Sequence, residues 1–289
     1  MDNRLAGLLQ LLELERLEVN IFRGGSRDIG SPQVYGGQVL GQALQAAYAT
    51  VDADRTVHSL HAYFLRRGDY DAPIVYFVDR SRDGHSFTSR RVTAIQHGEQ
   101  IFNCSMSFQR AEPGFVHQLA MPKVPSPEEL EPASAPASFL DSLAPRVRQF
   151  AHERPIEFRR VPAATLPDDA PRQCLWMRMC DRLPDDDRLH RCLLAYASDF
   201  HLLGTALIRH ERSLAEGILV IASIDHAMWF LHPARMDEWL LYAADSPSAS
   251  GARGFVRGSL YTRAGVLVAS TAQEGLVRVV PPAAGQGAG

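Results

Sequence analysis

The chain has 289 residues, of which 46% are apolar and 22% are charged, and its formal net charge is −3. This length and composition allow one large or two medium globular domains and exclude a chain that is disordered throughout. The slightly negative charge excludes a broad basic surface for nucleic acid, so an acidic ligand would have to be held by a local group of arginines.

The cysteines and the start of the chain limit the compartment and the partners. The four cysteines are few for this length and show no zinc-ribbon spacing. Cys174 and Cys180 with His190 could be imagined as metal ligands, but buried free thiols in a reducing compartment are the commoner arrangement. Met1-Asp2-Asn3 lacks the basic segment of a signal peptide, and no apolar run approaches the roughly 20 residues of a membrane span. We therefore expect a cytoplasmic protein with no metal and no membrane partner.

The first half of the chain predicts two helices and a series of strands. Leucines at helical spacing indicate an amphipathic helix within residues 4–17, followed by a strand near Leu17–Phe22. A second helix begins near Tyr35 and contains Gly37 and Gly41, which would let it pack closely against a sheet. The strands predicted after it are His58–Leu65, Ile74–Val78, Phe87–Ile95 and Ile101–Phe108.

Residues 110–150 contain seven prolines and predict a linker across the surface, with one short helix near Ser138–Leu143. The second half then predicts a helix that starts within Leu193–Leu207. Its predicted strands are Ile156–Val161, Cys174–Asp181, Ile218–Phe230, Glu238–Ala244, Gly254–Thr262 and Val266–Val280. A long helix against an antiparallel sheet, used twice, predicts an α+β fold whose two sheets join edge to edge.

The two halves correspond in sequence, because residues 57–109 match residues 222–274 at a constant offset of 165. The correspondence indicates a duplicated unit of ordinary domain size. The matched pairs are His61 with His226, Phe64 with Trp229, Leu65 with Phe230, Val75 with Leu240 and Ser105 with Ser270.

Two positions differ in chemical character at this offset. Val34 matches Asp199, and Phe108 matches Gln273, which lies on a strand face where the alternation predicts a core residue. A copy that exchanges apolar side chains for a carboxylate and an amide predicts a single active site, with the other copy mainly as scaffold.

Each polar candidate also has an ordinary structural explanation. Asp199 precedes a helical stretch and is typical of a helix N-cap, and Ser223 in a strand is normally a satisfied hydroxyl. Gln273 could bond to the backbone at a strand end. Asp225 and His226 are neighbours in a strand, so they point to opposite faces and form no acid–base dyad.

No Gly-x-Ser-x-Gly, P-loop or dinucleotide glycine pattern occurs, so we expect neither a serine nucleophile nor a cofactor.

At these residues the chain resembles the acyl-CoA thioesterase II family, the double-hotdog family that includes choloyl-CoA hydrolases. The similarity runs from the opening helix to about Arg278, and the matching segments are long and occur in order. Those in the first half are Tyr35-Gly36-Gly37-Gln38-Val39-Leu40-Gly41-Gln42, Val57-His58-Ser59-Leu60-His61-Ala62-Tyr63-Phe64-Leu65 and Arg82-Asp83-Gly84-His85-Ser86-Phe87. Those in the second half are Tyr196-Ala197-Ser198-Asp199, Ser223-Ile224-Asp225-His226-Ala227-Met228-Trp229-Phe230, Ala252-Arg253-Gly254 and Ala272-Gln273-Glu274-Gly275.

The resemblance implies a tandem hotdog, in which each unit is an antiparallel sheet wrapped around a long helix. It implies hydrolysis of fatty acyl-CoA to free acid and CoA, with Asp199, Ser223 and Gln273 jointly activating a water molecule. Many bacterial members have Thr where this chain has Ser223, which keeps the hydroxyl but has a less restricted rotamer. The expected divisions are 1–110 for the N-terminal hotdog, 111–150 for the linker, 151–280 for the C-terminal hotdog and 281–289 for a disordered tail.

The substrate contacts are further expectations. Helix N–H groups near Gly36 and Gly37 would stabilise the oxyanion, and the acyl chain would lie between helix and sheet. His58 matches Ser223 at the offset and would mark a vestigial or supporting position. Surface arginines would meet the CoA phosphates, with Arg90, Arg91 and Arg253 as candidates. Members of the family assemble through their sheets, so we expect a homo-oligomer, either a dimer or a tetramer.

Two other functions remain open from the sequence. A hotdog-type enoyl-CoA hydratase would use an Asp/His pair, for which the sequence shows no convincing spacing. A non-catalytic acyl-CoA binder would take up the ligand without releasing a thiol.

Overall fold

The structure is a computed structural model that describes residues 1–132, 150, 153–166, 173–210 and 218–280. The helix predicted near Ser138–Leu143 and the tail predicted at 281–289 lie outside the described residues. Within the described ranges most predicted helices and strands are present, with boundaries that differ by a few residues.

In the first half, two helices and six strands follow the predicted order. The helices are α1 (Asn3–Leu12) and α2 (Gly36–Tyr48). The strands are β1 (Glu15–Glu18), β2 (Ile21–Gly24), β3 (Arg55–Phe64), β4 (Ile74–Asp83), β5 (Phe87–Gln96) and β6 (Glu99–Arg110). The single strand predicted near Leu17–Phe22 is in fact a hairpin of β1 and β2.

The described part of the second half repeats this arrangement. Its central helix is α3 (Asp187–Ser198), which begins earlier than predicted and is followed by a 3₁₀ helix at Leu203–His210. Its strands are β7 (Ile156–Arg160), β8 (Gln173–Met179), β9 (Ile218–Ser223), β10 (Asp225–Phe230), β11 (Leu240–Ser250), β12 (Arg253–Thr262) and β13 (Leu267–Val280). No helix among the described residues is long and apolar enough to cross a membrane.

The strands of the described residues form one 13-stranded sheet in the order β1-β2-β4-β5-β6-β3-β10-β13-β12-β11-β8-β7, with β9 also beside β13. The order on one side of the central β3–β10 pair mirrors the order on the other side. The two halves therefore join edge to edge through antiparallel pairing of β3 with β10, as predicted. Each half wraps its strands around one long helix, which is the arrangement expected of a tandem hotdog.

The two central helices pack against each other through the glycines of α2. A Cβ atom added to Gly37 would lie 2.2 Å from the carbonyl oxygen of Tyr196, and one added to Gly41 would lie 3.2 Å from that of Cys192. These glycines were predicted to allow a close approach to a sheet. The structure shows that what they allow is the close approach of α2 to α3.

The duplication is present in the structure, but the offset of 165 is wrong at several strand positions. His61 is exposed whereas His226 is fully buried, so the two lie on opposite faces of the sheet. Counted outward from the central pair, the position of Gln273 on β13 corresponds to Met106 on β6. Phe108 is therefore not its counterpart. The exchange of an apolar side chain for an amide still holds, with Met106 as the apolar member.

The described part of the proline-rich linker is anchored on the outer face of the second half. The indole of Trp176 donates a hydrogen bond to the carbonyl of Pro125 at 2.9 Å. The amide of Gln118 donates to the carbonyl of Gly265 and accepts from the N–H of Leu267. These contacts cover a second apolar cluster on the face of the sheet away from α3.

Candidate active site

Asp199 lies at the C-terminal end of α3, where it is the C-cap residue. The N-cap role expected for it is wrong, because the next helical segment begins only at Leu203. Its counterpart is Ala49, which follows the end of α2, whereas Val34 precedes α2 and is not equivalent. Only 8% of the Asp199 side chain is exposed, so its carboxylate lies inside the protein.

Ser223 lies at a break in the strand predicted to run without interruption from Ile218 to Phe230. It ends β9 opposite Gly275, and β10 continues from Asp225, with Ala227 opposite Ala272. The segment from Ser223 to Ala227 therefore contains one more residue than the opposite segment of β13, from Ala272 to Gly275. Such a β-bulge changes the direction of a side chain and often occurs beside an active site.

Gln273 connects Asp199 with Ser223. Its amide nitrogen donates to Asp199 Oδ1 and to Ser223 Oγ, both at 2.9 Å. The amide orientation follows from chemistry, because an ionised carboxylate can only accept hydrogen bonds. Gln273 is fully buried, and no donor among the described residues reaches its Oε1. The structure thus brings the three predicted site residues into one hydrogen-bond network.

The N-terminus of α2 faces this network from the first half. A Cβ atom added to Gly36 would lie 2.7 Å from Asp199 Oδ2 and 3.0 Å from the ring of Phe64. The first N–H groups of a helix have no partner within the helix and carry partial positive charge. The N-terminal end of α2 therefore lies close to the carboxylate, and its role as an oxyanion site stays a prediction.

A small cavity of about 50 Å³ extends from Ser223 into the first half. It has room for at least one water molecule beside the serine. Its apolar lining includes Val34, Val39, Phe64, Ile101 and Phe102, and its polar lining includes Ser223 and Arg66. The first half is therefore more than a scaffold, because it provides most of this cavity wall.

The expectation that Arg90 is a surface arginine is wrong. Its side chain is 1% exposed and points inward from β5. It donates to the side chain and the carbonyl of Thr50 and to Asp83 Oδ1, at 2.6–2.9 Å. Its guanidinium holds the pKa of Asp83 below the ordinary value. Arg90 thus fastens the end of α2 to the β4–β5 hairpin and is not available to a CoA phosphate.

The remaining predicted contacts do not join the network. His58 lies far along β3, with its ring against Phe87, while the other end of β3, at Phe64, contacts Ile224. At about 3.3 Å per residue, His58 is roughly 20 Å along the strand from that end. Arg91 and Arg253 are exposed, and Arg253 forms an ion pair with Glu274. Their contact with CoA stays a prediction.

His226 is a site neighbour that the sequence reasoning missed. Its ring is fully buried, Nδ1 lies 3.9 Å from Asp199 Oδ1, and Nε2 lies 3.0 Å from Ser198 Oγ. Asp225 binds elsewhere, because its carboxylate accepts the N–H of Glu274. The signal in the sequence is that His226 shares its strand face with two buried apolar residues, Met228 and Phe230.

Two family models match the chain in the order of its halves. The model described as acyl-CoA thioesterase N-terminal domain matches residues 23–109, and the model described as acyl-CoA thioesterase matches residues 147–276. A human protein named acyl-coenzyme A thioesterase 8 is 42% identical over 97% of this chain and 91% of its own length. The chain belongs to the acyl-CoA thioesterase family. The enzyme is therefore a hydrolase of acyl-CoA thioesters, which decides between this function and the two alternatives.

Other relatives of the thioesterase agree in sequence and fold. Acyl-CoA thioesterase 2 of Haemophilus influenzae is 40% identical over 96% of this chain and 99% of its own length. A crystal structure of an acyl-CoA thioesterase II from Mycobacterium marinum is 46% identical, covers 94% of this chain and 98% of that one, and has a TM-score of 0.81. A hot dog fold protein from Alicyclobacillus acidocaldarius is only 19% identical with a TM-score of 0.76, and it supports the fold alone. The predicted tandem hotdog is confirmed.

Proposed function

We propose that this thioesterase hydrolyses fatty acyl-CoA by direct attack of water, with Asp199 as the general base. The observation that carries the proposal is the buried network in which one amide, that of Gln273, binds both Asp199 Oδ1 and Ser223 Oγ at 2.9 Å. A base that is held in place by hydrogen bonds can take a proton from water without first having to find its orientation.

The geometry suggests how the reacting groups are arranged. Gln273 occupies Asp199 Oδ1, which leaves Oδ2 beside Gly36 to receive the proton of the water. Ser223 Oγ accepts from Gln273, so its own proton can be donated to the water oxygen and orient it. The N–H groups at the start of α2 would stabilise the negative charge on the substrate oxygen, because Gly36 lies beside Asp199.

The reaction then proceeds in two steps. The water oxygen bonds to the thioester carbonyl carbon while its proton passes to Asp199, which gives a tetrahedral oxyanion. Collapse of this species breaks the C–S bond, and the CoA sulfur takes the proton back from Asp199. The carboxylate is regenerated, and no bond forms between the enzyme and the acyl group.

The cavity beside Ser223 supports a position for the acyl chain in the first half, because the apolar side chains of Val39, Phe64 and Phe102 are part of its wall. The CoA moiety would then extend toward the surface. We propose Arg91 and Arg253 as contacts for its phosphates, since both side chains are exposed.

Rapid-quench mass spectrometry of a single turnover tests direct attack. CoA and fatty acid should appear at the same rate, without a burst of CoA, and the enzyme mass should not change. A transient acyl adduct on the Asp199 peptide would contradict the proposal, because it would make the carboxylate a nucleophile. Crotonyl-CoA serves as a control substrate, since its hydration without thiol release would indicate hydratase chemistry instead.

Replacement of Gln273 by methionine should remove activity while preserving the fold. Met106 occupies the corresponding place in the first half, so the position tolerates a methionine side chain in this sheet. The variant loses both amide hydrogen bonds, and we expect kcat to fall by about 10²–10³-fold, as for other positioned donors. Steady-state thiol release gives the loss, thermal melting checks the fold, and Met106→Leu is the matched control with near-normal kcat. An active Gln273→Met variant would remove this residue from the mechanism.

Assembly and location are proposed on separate observations. The outer face at the centre of the sheet carries Tyr63 and Trp229, which are 52% and 38% exposed, and His61 packs against the Trp229 ring. Exposed aromatic residues at a sheet centre favour contact with a second copy of the chain, so we propose a homo-oligomer, either a dimer or a tetramer. Sedimentation equilibrium would measure the number of subunits. The cytoplasm is the proposed location, since the four cysteines are all free thiols.

A further inference from the structure

We propose that His226 is a positioning residue for Asp199, whose protonated carboxyl group donates a hydrogen bond to His226 Nδ1 during the reaction. The proposal rests on the proposed role of Asp199 as general base. In this role His226 does not touch the substrate, and it acts only in the interval between the two chemical steps.

The hydrogen bonds around Ser198 fix which ring nitrogen of His226 carries the proton. Ser198 Oγ donates to the carbonyl of Ala195 at 3.0 Å, because a carbonyl oxygen can only accept. The hydroxyl has a single proton, so its contact with His226 Nε2 at 3.0 Å requires Nε2 to be the donor. Nε2 is therefore protonated, and in the neutral ring Nδ1 is left as an acceptor.

Ser198 is itself held in place by hydrogen bonds to its backbone and its side chain. The hydroxyl of Tyr242 donates to the Ser198 carbonyl at 2.9 Å, and Thr271 contacts the same tyrosine oxygen at 2.8 Å. All of these side chains are buried. The backbone and the side chain of Ser198 are thus both bonded, and the His226 ring has a fixed tautomer and orientation.

The remaining acceptor of the ring points toward the base. Among the described residues, no donor lies within hydrogen-bonding range of His226 Nδ1, whereas Asp199 Oδ1 is 3.9 Å away. Burial lowers the pKa of His226, which favours the neutral ring. While Asp199 is ionised, two acceptors face each other and no hydrogen bond can form between them.

Proton transfer from water changes this relation. When the new bond to the carbonyl carbon forms, the water proton resides on Asp199, which then has an O–H group to donate. This O–H forms on Oδ2, whereas the oxygen 3.9 Å from Nδ1 is Oδ1, which also accepts from Gln273. The terminal torsion of an aspartate is soft, so the carboxyl group can turn to exchange its two oxygens, bring the O–H to Nδ1 and shorten this separation by about 1 Å. Breaking the C–S bond returns the proton to sulfur, and the hydrogen bond to Nδ1 is lost again.

Two isosteric variants separate this role from a purely structural one. In His226→Asn the amide lies where Nδ1 was and can still accept from Asp199, but the contact with Ser198 is lost. In His226→Gln the amide reaches the place of Nε2 and keeps the contact with Ser198, but the group facing Asp199 is lost. If Nδ1 is needed, Asn should retain more activity than Gln; if only the fold needs the histidine, the order should be the reverse.

We expect kcat to fall about 100-fold in His226→Gln and at most about 10-fold in His226→Asn, within the range of a group that assists proton transfer. KM should stay within about twofold of the parent value in both, because His226 does not touch the substrate. Thiol release at saturating acyl-CoA gives kcat, and thermal melting establishes that the compared variants are folded. Equal activity of the two variants, or a more active Gln variant, would overturn the proposal.

Ser198→Ala provides a second test if the Gln variant does not fold. It leaves the imidazole in place but removes the hydroxyl that fixes its tautomer, so kcat should fall while KM is kept; an unchanged kcat would overturn the proposal. Asp199→Asn is measured in parallel. Near-normal hydrolysis by Asp199→Asn would contradict the base itself, whereas an inactive Asp199→Asn beside the wrong order of the His226 variants would contradict only the role of His226.

Discussion

Replacement of Asp199 by asparagine should lower kcat by about 10²–10⁴-fold, the usual contribution of a positioned general base. Asparagine has nearly the same shape, and its carbonyl oxygen can still accept the N–H of Gln273 that now binds Oδ1 at 2.9 Å. It cannot take up the proton of the attacking water at neutral pH. The variant should therefore fold normally and bind substrate, with the loss confined to the chemical step.

Thiol release across acyl-CoAs of graded chain length measures this loss at saturating substrate. Thermal melting should show a midpoint close to that of the parent, because the buried side chain loses a charge but keeps its partner. Asp225→Asn is the matched control: this carboxylate is two residues after Ser223 and accepts the N–H of Glu274, outside the network. Near-normal turnover by Asp199→Asn, or an equal loss in Asp225→Asn, would contradict the assignment of the base.

The overall architecture could be predicted from the sequence because it depends on periodicity. Alternating apolar residues along Ile101–Phe108 and the corresponding strand of the second half mark strands that are buried on one face. The repeat of one helix and one antiparallel sheet then indicates two joined units. The edge-to-edge pairing of β3 with β10 follows from the same reasoning, since it removes two exposed sheet edges.

The equivalence of individual residues could not be obtained in this way. Aromatic side chains lie on both faces of the central strands, as Phe64 is partly covered inside and Trp229 faces outward. An alignment that matches aromatic residues therefore does not detect a shift by one position, which moves a side chain to the opposite face. The bulge after Ser223 is equally hidden, because one inserted residue leaves little trace in a short alternating pattern.

Side-chain environments caused the other differences. Asp is favoured at helix N-termini, so a composition rule assigns Asp199 to the start of a helix when it in fact follows one. Arginine is rarely fully buried, and the buried position of Arg90 is acceptable because its guanidinium is hydrogen-bonded to Thr50, Asp83 and the carbonyls of Arg82 and Ser89. The acid–base neighbour of Asp199 is His226, which is distant in sequence and is brought close only by packing of α3 against β10.

Replacement of Gly36 by alanine should lower kcat by about 10²-fold without destabilising the protein. The added Cβ would lie 2.7 Å from Asp199 Oδ2 and 3.0 Å from the Phe64 ring, so the carboxylate or the ring must move. A misplacement of about 1 Å can cost 10²-fold in rate. Gly36 is the first residue of α2, where alanine favours the helix by up to about 1 kcal/mol.

Gly37→Ala should have the opposite profile, although the two glycines are adjacent. Its Cβ would lie 2.2 Å from the carbonyl oxygen of Tyr196, which is backbone and cannot turn aside. The α2–α3 contact must open, and we expect a loss of about 1–3 kcal/mol or more in the free energy of unfolding. Denaturant unfolding and kcat measured on both variants separate the two effects, and Gly25→Ala, whose Cβ would meet no atom within 4 Å, is the control.

A Gly36→Ala enzyme with normal kcat would mean that the water is not activated at Asp199 Oδ2, because the space on that side of the carboxylate would then be dispensable.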